Sequence, residues 1–342
     1  MKFNKKLILT TAIVLYGSIT YASDFLILIS VDGLRPDIIN KIGNSELGGF
    51  YRFREEGVWT DNARTDFHHT NTLPNHSSMM TGRPVTGPSG HGQISNDMPD
   101  PDMTLHNNTG PNIYINSVFD IVHDHGLSTS LYTGKDKFIL FDQSYNLKTG
   151  SIDIIGENNG RDKIDNYVFL NSDRTAELLI KRFISDMKIK PTVFSFIHIV
   201  DTDAIGHGGN WTSPAYEAAV TRVDTYLQQI FSFIDSDNRF KNNTSIILVA
   251  DHGGTGRRHG DSSNPLNYTI PFYVWGSEVA KGKNIYSLNK EHRRDPGLAY
   301  PSYEDSFQPI RNGDAANLAM SLLGLPKVSG STINSNQDLR VQ

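Results

Sequence analysis

Three short apolar runs, each followed by an acidic residue, constrain the fold of this chain more than any other feature. They are FLILISV before Asp32, TVFSFIHIV before Asp201 and SIILVA before Asp251. Apolar runs of this length, rich in β-branched residues, are typical of strands buried on both faces, as in parallel sheets. A fourth run of the same kind, IPFYVWG, follows a loop that contains His259.

Helical patterns separate these runs. Ser213 and Pro214 open one helix as N-cap and first helical residue, and apolar residues then recur at helical spacing through Asp235. A second pattern runs from about Asp314 to Leu323 and stops at a glycine. Strands that alternate with helices predict an α/β fold, with a mostly parallel central sheet and helices on both faces.

Two stretches are less regular. Residues 84–111 are rich in Gly, Pro, Asn and Asp, which predicts a long loop. Residues 134–170 show no clear period, and a small inserted cap is an open interpretation there. Because no repeat or low-complexity linker divides the chain, we predict a single catalytic domain over residues 23–342.

The first 22 residues have the order of a secretory signal peptide. Three lysines precede an apolar run from Leu7 to Ile19, and Ala22 is a suitable residue for cleavage. The alternative is a membrane anchor, but the run is too short to span a bilayer comfortably. We therefore expect a secreted or periplasmic protein with no membrane span after signal removal.

Net charge and the absence of cysteine limit the partners and the metal ligands that this chain can have. Loss of the signal peptide takes the formal net charge from -5 to -8, because three lysines and no acids are removed. A mildly acidic protein is unsuited to nonspecific nucleic-acid binding, so no nucleic-acid module is expected. The chain has no cysteine, which excludes disulfides and thiolate ligands. Any metal site must use histidine, carboxylate and hydroxyl ligands.

The polar residues that follow the apolar runs have the types needed to bind a pair of divalent cations. In open α/β sheets, bound molecules lie beyond the carboxyl ends of the strands. The polar residues of this chain are at those strand ends. Carboxylates and imidazoles delivered from separate strand ends can converge while their backbones stay apart. The candidates are Asp32, Asp203, His207, Asp251, His252 and, a short loop later, His259.

A nucleophile and a phosphate-binding residue are also predicted. Thr72, in TNTLPNHSSMMTG, precedes Pro74, which is typical of a first helical turn. A hydroxyl at a helix N-terminus is favoured as an alkoxide and as an anion site, although an N-cap threonine without chemistry is the alternative. Asn96, in HGQISN, is placed to donate to a phosphoryl oxygen, with a turn-forming role as its alternative.

These motifs resemble the type I phosphodiesterase and nucleotide pyrophosphatase family of the alkaline phosphatase superfamily. The resemblance runs from VDGLRPD to LLGLP and implies an alkaline phosphatase-like fold with two zinc ions. It implies that Asp203 and His207 bind the first zinc and that Asn96 binds phosphate. For the second zinc it implies the ligands Asp32, Thr72, Asp251 and His252.

The resemblance leaves two assignments open, and two further histidines are interpreted as structural or supporting residues. His259 is our choice as the last ligand of the first zinc, with His292 as the fallback. Asp201 is either a supporting residue or a competing ligand. His198, inside an apolar run, is interpreted as a core histidine, and His76 as a residue that orients the helix after Thr72.

The implied function is metal-dependent hydrolysis of phosphoester or phosphoanhydride bonds through a phosphorylated Thr72. The implied substrates are small molecules, namely nucleotides or lipid and choline phosphodiesters. One alternative is a phosphomonoesterase, for which Arg64, Lys135 and Lys137 are the candidate extra phosphate clamps. A noncatalytic metal-binding module is a further alternative, but no ligand or nucleophile is missing. A sulfatase is disfavoured, because Thr72 cannot be converted to formylglycine.

Overall fold

The computed structural model describes residues 22–108 and 113–342. The predicted signal peptide therefore lies, except for Ala22, outside the described residues. The strands are β1 (Phe25–Val31), β2 (Val58–Arg64), β3 (Thr129–Thr133), β4 (Asn166–Phe169), β5 (Phe194–Ile199), β6 (Thr244–Val249), β7 (Thr269–Trp275) and β8 (Lys283–Asn284). The α-helices are α1 (Pro36–Ile42), α2 (Gly48–Glu56), α3 (Thr72–Thr81), α4 (Val118–Asp124), α5 (Ile139–Tyr145), α6 (Glu177–Ile189), α7 (Asp201–Gly209), α8 (Pro214–Ser236), α9 (Pro265–Tyr268), α10 (Ile285–Leu288) and α11 (Asp314–Leu322).

The described strands form one sheet in the order β4-β3-β5-β1-β6-β7-β2-β8. Most neighbours are parallel, as predicted, but β7 pairs antiparallel with both β6 and β2. The expectation that IPFYVWG is a parallel strand was therefore wrong. After β6 the chain stays at the carboxyl edge of the sheet in a loop with His252 and His259. It enters β7 from that same edge, whereas a parallel strand needs a crossover back to the opposite edge.

Helices cover both faces of the sheet, as predicted. On one face α8 packs against α1, α2, α6 and α7, and on the other α3, α4 and α11 pack together. The Ser213 side chain accepts from the Tyr216 N–H at 3.2 Å, so the predicted N-cap of α8 is confirmed. The apolar residues that recur along α8 are buried, each contributing about 1.5–3 kcal/mol.

The predictions for the two less regular stretches are compared with the structure in turn. Residues 84–104 contain no helix or strand, so the predicted long loop is confirmed for that part. Residues 134–170 contain a short 3₁₀ helix, then α5, and then the edge strand β4. That segment is joined to the main sheet and forms no separate cap. Within the described ranges, none of the helices has the length and apolar character to cross a membrane.

The four central strands β3, β5, β1 and β6 are neighbours and run parallel. Their carboxyl ends therefore lie side by side along one edge of the sheet. Asp32 follows β1, α7 follows β5 almost directly, and Asp251 follows β6. The topology thus places the predicted polar clusters on adjacent strand ends.

Candidate active site

The six acid and histidine side chains that follow the strands converge on one pocket. Nε2 of His207 lies 3.2 Å from Nε2 of His259, and both face Oδ1 of Asp203, at 3.3 and 3.8 Å. Nε2 of His252 lies 3.4 Å from Oδ1 of Asp32 and 3.3 Å from Oδ2 of Asp251. The Asp203 carboxylate lies close enough to the side chains of both groups to bind a metal ion together with either. The two groups therefore form one continuous cluster.

Local sequence explains how these side chains are presented. Asp203 and His207 are four residues apart on α7, so they lie on one side of the helix. Asp251 is oriented by its Oδ1, which accepts from the backbone N–H groups of Gly33 at 3.0 Å and of His252 at 2.9 Å. Gly33 has φ +67°, a conformation that favours glycine.

Two glycines, Gly253 and Gly254, follow His252 directly. Neither has a positive φ. A Cβ on Gly254 would lie 2.1 Å from Cε2 of Trp211, and a Cβ on Gly253 would lie 2.1 Å from the Leu266 carbonyl oxygen. These glycines are needed because other atoms approach their backbone closely.

The three histidines share one tautomer. Nδ1 of His207, His252 and His259 donates to the carbonyl oxygens of Arg257, Gly253 and Thr70, at 2.9, 2.7 and 2.6 Å. A carbonyl oxygen can only accept, so the proton is on Nδ1 and the lone pair of Nε2 faces the cluster. This is the arrangement that orients metal-binding histidines.

Several buried atoms of the cluster have no hydrogen-bond partner in the described structure. They are Oδ1 of Asp32, Oδ1 of Asp203, Oδ2 of Asp251 and Nε2 of His252. Each unsatisfied buried polar atom costs about 1–3 kcal/mol, so such atoms are rarely left together without a ligand. All four are lone-pair donors of types that bind zinc and other divalent cations. The residues present therefore fit a metal centre.

Lys135 also lies in the cluster. Its Nζ is 2.7 Å from Oδ2 of Asp32 and 2.8 Å from Oδ2 of Asp203. Burial alone would raise the pKa of Asp32, but the Lys135 ammonium and the His198 hydrogen bond hold it well below its usual range. Burial together with the Asp32 charge raises the pKa of Asp251 well above its usual range. The pocket thus holds more carboxylate charge than one ammonium neutralises.

Thr72 is the first residue of α3, and its hydroxyl points into the same pocket. Oγ1 of Thr72 lies 3.3 Å from Nζ of Lys135. The N-cap position is Asn71, so an N-cap role for Thr72 does not explain this placement. Oδ1 of Asn96 accepts from the Leu73 N–H at 2.9 Å, which places the Asn96 side chain at the same helix terminus. The Lys137 ammonium donates to the backbone oxygen of Asn96.

A family model described as type I phosphodiesterase / nucleotide pyrophosphatase matches residues 26–297. The chain belongs to this family. It is 28% identical over 171 residues to GPI ethanolamine phosphate transferase 1 of Schizosaccharomyces pombe, which covers 47% of this chain and 17% of that protein. It is 23% identical over 252 residues to ectonucleotide pyrophosphatase/phosphodiesterase 1 of Saccharomyces cerevisiae, which covers 66% of this chain and 33% of that protein. The chain thus spans much less than two thirds of either relative.

Solved structures confirm the alkaline phosphatase-like fold of this family member. Murine ectonucleotide pyrophosphatase/phosphodiesterase 5, as an inactive variant in complex with AMP, matches with a TM-score of 0.62 at 15% identity. The match covers 92% of this chain and 99% of the murine chain. Other matching structures are members of the alkaline phosphatase superfamily.

The structure separates the residues that the family resemblance left open. His259 is in the cluster, whereas His292 lies near Glu291 and Asp338 at the surface. Asp201 faces away from the cluster, because its carboxylate accepts from Arg222, Tyr226 and the Ala176 N–H.

Arg64 is not placed to clamp phosphate. Its guanidinium is buried and donates to Asn62 and to the carbonyl oxygens of Ala63, Gly297 and Ala299. Of the three basic candidates, only Lys135 and Lys137 reach the surroundings of Thr72.

Two residues contribute more than the sequence indicated. Nε2 of His198 donates to Oδ2 of Asp32 at 2.8 Å, so this buried histidine orients a pocket carboxylate as well as filling the core. Lys135 follows β3, whose sequence TSLYT is too polar to have been identified as a central strand. The sequence named Lys135 only as a candidate phosphate clamp. Recognition of β3 would also have placed Lys135 at a strand end, beside the carboxylates of the pocket.

Proposed function

We propose that this chain hydrolyses phosphoester or phosphoanhydride bonds with Thr72 as the nucleophile, at a site for two divalent metal ions. The observation that carries the proposal is the position of the Thr72 hydroxyl. It lies at the first turn of α3, 3.3 Å from an ammonium that also contacts Asp32 and Asp203. A threonine hydroxyl beside a dense group of unsatisfied carboxylate and imidazole atoms is suited to attack phosphorus.

Asp203, His207 and His259 would hold one ion, and Asp32, Asp251 and His252 would hold the other together with Thr72. Zinc is our proposed metal, because nitrogen and carboxylate ligands without thiolate are typical of catalytic zinc sites. Bound zinc would lower the pKa of the Thr72 hydroxyl and neutralise charge on the phosphoryl oxygens. Thr72 has a proposed chemical role. The other proposed ligands are buried or fixed by backbone hydrogen bonds, so they need little rearrangement to bind metal.

The proposed reaction has two displacements at phosphorus. In the first, a bond forms between Oγ1 of Thr72 and phosphorus as the bond to the leaving oxygen breaks. The hydroxyl proton passes to solvent and the leaving oxygen takes up a proton. In the second, water attacks the phosphorus of the phosphothreonine, which in a diester reaction still carries the retained ester group, and the bond to Oγ1 of Thr72 breaks as that oxygen takes up a proton. The Asn96 amide group, oriented by its bond to the Leu73 N–H, would donate to a phosphoryl oxygen in both steps.

Substitution of the nucleophile tests this proposal. Thr72→Ala should lower turnover of a nitrophenyl nucleotide diester by at least roughly a thousandfold, while Thr72→Ser should retain part of the activity. Metal content of the alanine variant, measured by mass spectrometry, should remain close to that of the wild type. A nucleotidyl adduct on the Thr72 peptide of wild-type enzyme quenched with acid during turnover of this diester would support the intermediate. Undiminished turnover by the alanine variant would refute the assignment.

A second candidate function, phosphomonoester hydrolysis, is favoured by Lys135. A monoester carries one more anionic nonbridging oxygen than a diester, so it gains more from an additional cation beside the nucleophile. We expect Lys135→Ala to lower kcat/KM for nitrophenyl phosphate by roughly ten- to a hundredfold more than for the diester, if monoesters are the physiological class. Equal losses on the two substrates would favour diester hydrolysis.

Substrate and location are further parts of the proposal. AMP in the murine structure supports nucleotide diesters and pyrophosphates as first substrates, and the names of the fungal relatives support phosphodiesters of lipid head groups. The same phosphothreonine could pass to an alcohol, so products should be compared with and without added glycerol. We also propose export through residues 1–22, which N-terminal analysis of the exported protein would test by finding Ser23 first.

A further inference from the structure

Loop 65–71, which joins β2 to α3, contacts the candidate metal ligand His259. Nδ1 of His259 donates to the Thr70 carbonyl oxygen at 2.6 Å, and Oγ1 of Thr70 donates to the His259 carbonyl oxygen at 2.5 Å. Thr70 is 1% exposed, so bulk water does not compete for these two bonds. The direction in which Nε2 of His259 points therefore depends on where the loop places the Thr70 backbone.

Loop 65–71 has no regular secondary structure to fix its own shape. None of its residues belongs to a helix or a strand. Within the loop the His69 N–H donates to the Asp66 carbonyl oxygen at 3.1 Å, and His68 has φ +65°, a left-handed conformation that is uncommon for residues other than glycine. A backbone of this kind keeps one conformation only where the surrounding groups hold it.

The side chain of Asn75, on α3, holds this backbone. Its Nδ2 donates to the carbonyl oxygens of His69 at 3.1 Å and of Asn71 at 3.0 Å, the residues on either side of Thr70. Its Oδ1 accepts from the Asp66 N–H at 2.9 Å. One amide group thus fixes three peptide groups of loop 65–71.

The Asn75 amide is itself fixed. Its Oδ1 also accepts from Nδ2 of Asn312 at 2.7 Å, so all four hydrogen-bonding positions of the side chain are used. Asn75 and Asn312 are both fully buried, so rotation of the amide would leave donors and acceptors without partners. Nδ2 of Asn312 also lies 3.4 Å from the Asp251 carbonyl oxygen, which extends the network to a strand end of the pocket.

Asn75 also belongs to the helix that begins with the proposed nucleophile. It follows Thr72 by three residues, a spacing that places both side chains on the same side of α3. The side chain that fixes the backbone around Thr70 is therefore part of the helix that carries Thr72. Because its bonds join α3 to loop 65–71, they also set the position of His259 relative to Thr72.

We propose that Asn75 is a positioning residue that holds His259 in the orientation needed to bind a metal ion. The ion concerned is the one assigned to Asp203, His207 and His259, so the inference rests on the proposed two-metal function. All polar atoms of the Asn75 side chain bond within the protein, so it acts through Thr70 and His259 and not on substrate. Loss of its Nδ2 would release the backbone on both sides of Thr70, and Nε2 of His259 would no longer be held facing Asp203.

Zinc titration of the chelator-treated full chain tests the role of Asn75. We expect the wild type to bind two zinc ions. Asn75→Ala removes all four amide bonds and should weaken binding of one ion roughly 10- to 100-fold, as loss of a residue that orients a ligand does. Asn75→Asp should lose less affinity, because burial keeps the carboxyl group protonated and its hydroxyl can donate to one of the two carbonyl oxygens. This milder variant also keeps the experiment decisive if Asn75→Ala folds poorly.

A second background shows whether Asn75 acts through His259. His259→Ala removes the ligand itself and should leave one ion bound, at the site assigned to Asp32, Asp251 and His252. Adding Asn75→Ala should leave the affinity for that ion within roughly twofold, because the orientation of a missing imidazole no longer matters. A loss as large as in the wild-type background would overturn the inference, since Asn75 would then act on the fold in general.

Asn317→Ala is the matched control. Asn317 is also a buried helical asparagine, and its Nδ2 donates to the Ile333 carbonyl oxygen at 2.7 Å while its Oδ1 accepts from the Val328 N–H at 2.8 Å. Neither partner belongs to the candidate active site. Its alanine variant should lower Tm and leave both zinc affinities unchanged. If Asn75→Ala gives that same result, Asn75 has only a structural role and the inference is overturned.

Zinc binding and turnover are measured separately, so the two proposals can fail independently. A chain that binds two zinc ions yet hydrolyses no phosphoester refutes the proposed function alone. A wild type that binds both ions and hydrolyses the nucleotide diester, with an Asn75→Ala variant of unchanged zinc affinity, refutes the positioning role alone. A wild type that binds fewer than two zinc ions refutes the two-metal site, and the role of Asn75 with it.

Discussion

The described residues contain two buried clusters of acid and histidine side chains, and they differ in how their polar atoms are satisfied. One is the candidate active site. The other lies at the end of α4 and in the loop that follows α5, and consists of His123, Asp124 and Asp153. Both have the spacing of a metal site, and both contain a lysine. Proximity of ligand-type side chains therefore cannot by itself distinguish a metal site from an ion pair.

Hydrogen bonding makes the distinction. In the α4 cluster Nζ of Lys163 donates to Asp124 at 2.9 Å, to Asp153 and to the Gly160 carbonyl oxygen at 3.0 Å. No atom of that cluster is among the unsatisfied buried atoms of the described residues. Lys135, by contrast, leaves four lone-pair atoms around it unsatisfied. The α4 cluster is a completed ion pair, whereas the pocket around Thr72 has side chains that could hold a further cation.

Asparagine substitutions in the two clusters should therefore have very different effects. Asp203→Asn alters a proposed ligand of one ion, and this carboxylate also lies close to Asp32 and His252 of the other group. The substitution should lower kcat/KM by well over roughly a hundredfold, because loss of a supporting residue alone costs about 10–100-fold. Metal content, measured by mass spectrometry on the dialysed protein, should fall as well. Asp153→Asn is the matched control and should leave metal content unchanged. Loss of metal from the control would break the distinction between the clusters.

Substitution of the lysine in each cluster, Lys163 and Lys135, tests the same comparison through the free energy of unfolding. Lys163→Met should reduce the free energy of unfolding by about 3–5 kcal/mol, since it leaves two buried carboxylates without their cation. Lys135→Met should cost under about 1 kcal/mol in zinc-saturated protein, because bound metal neutralises the same carboxylates. The exposed Lys181→Met provides the baseline for a surface pair. Denaturant titrations in saturating zinc measure all three, and equal losses for Lys163 and Lys135 would contradict the comparison.

The sequence predicts the strands that have a clear apolar pattern, but it does not predict the strands that lack one. The runs before Asp32, Asp201 and Asp251 are mainly apolar and β-branched, so β1, β5 and β6 could be recognised from pattern alone. The strand β3 carries Thr129, Ser130 and Thr133, and its central position depends on contacts that no local pattern encodes. The direction of β7 was likewise missed, because it depends on the path of the loop before it.

The same limit applies to the candidate site. Asp203 and His207 could be placed together because a helical spacing joins them within one segment. The contacts of Lys135 with Asp32, and of His198 with Asp32, join residues more than a hundred positions apart. Only the sheet order brings them together, so their roles could not be derived from motif spacing.

The prediction for His198 has the smallest expected effect. Its Nε2 donates to Asp32, and its Nδ1 accepts from the Gly134 N–H at 3.3 Å, so it couples the β1 and β3 strand ends. His198→Leu removes that donor and should lower kcat/KM roughly 10- to 100-fold and weaken zinc binding. His198→Gln keeps a donor and should recover part of both losses.

A histidine with only a packing role would predict a different result, namely a lower Tm with unchanged kcat/KM and zinc affinity. His123→Leu in the α4 cluster is the control, because Nδ1 of His123 lies 3.3 Å from Asp153 in a comparable setting. We expect His123→Leu to affect Tm alone. If both histidine variants behave alike, His198 positions nothing, and Asp32 is oriented by its strand and by Lys135 without it.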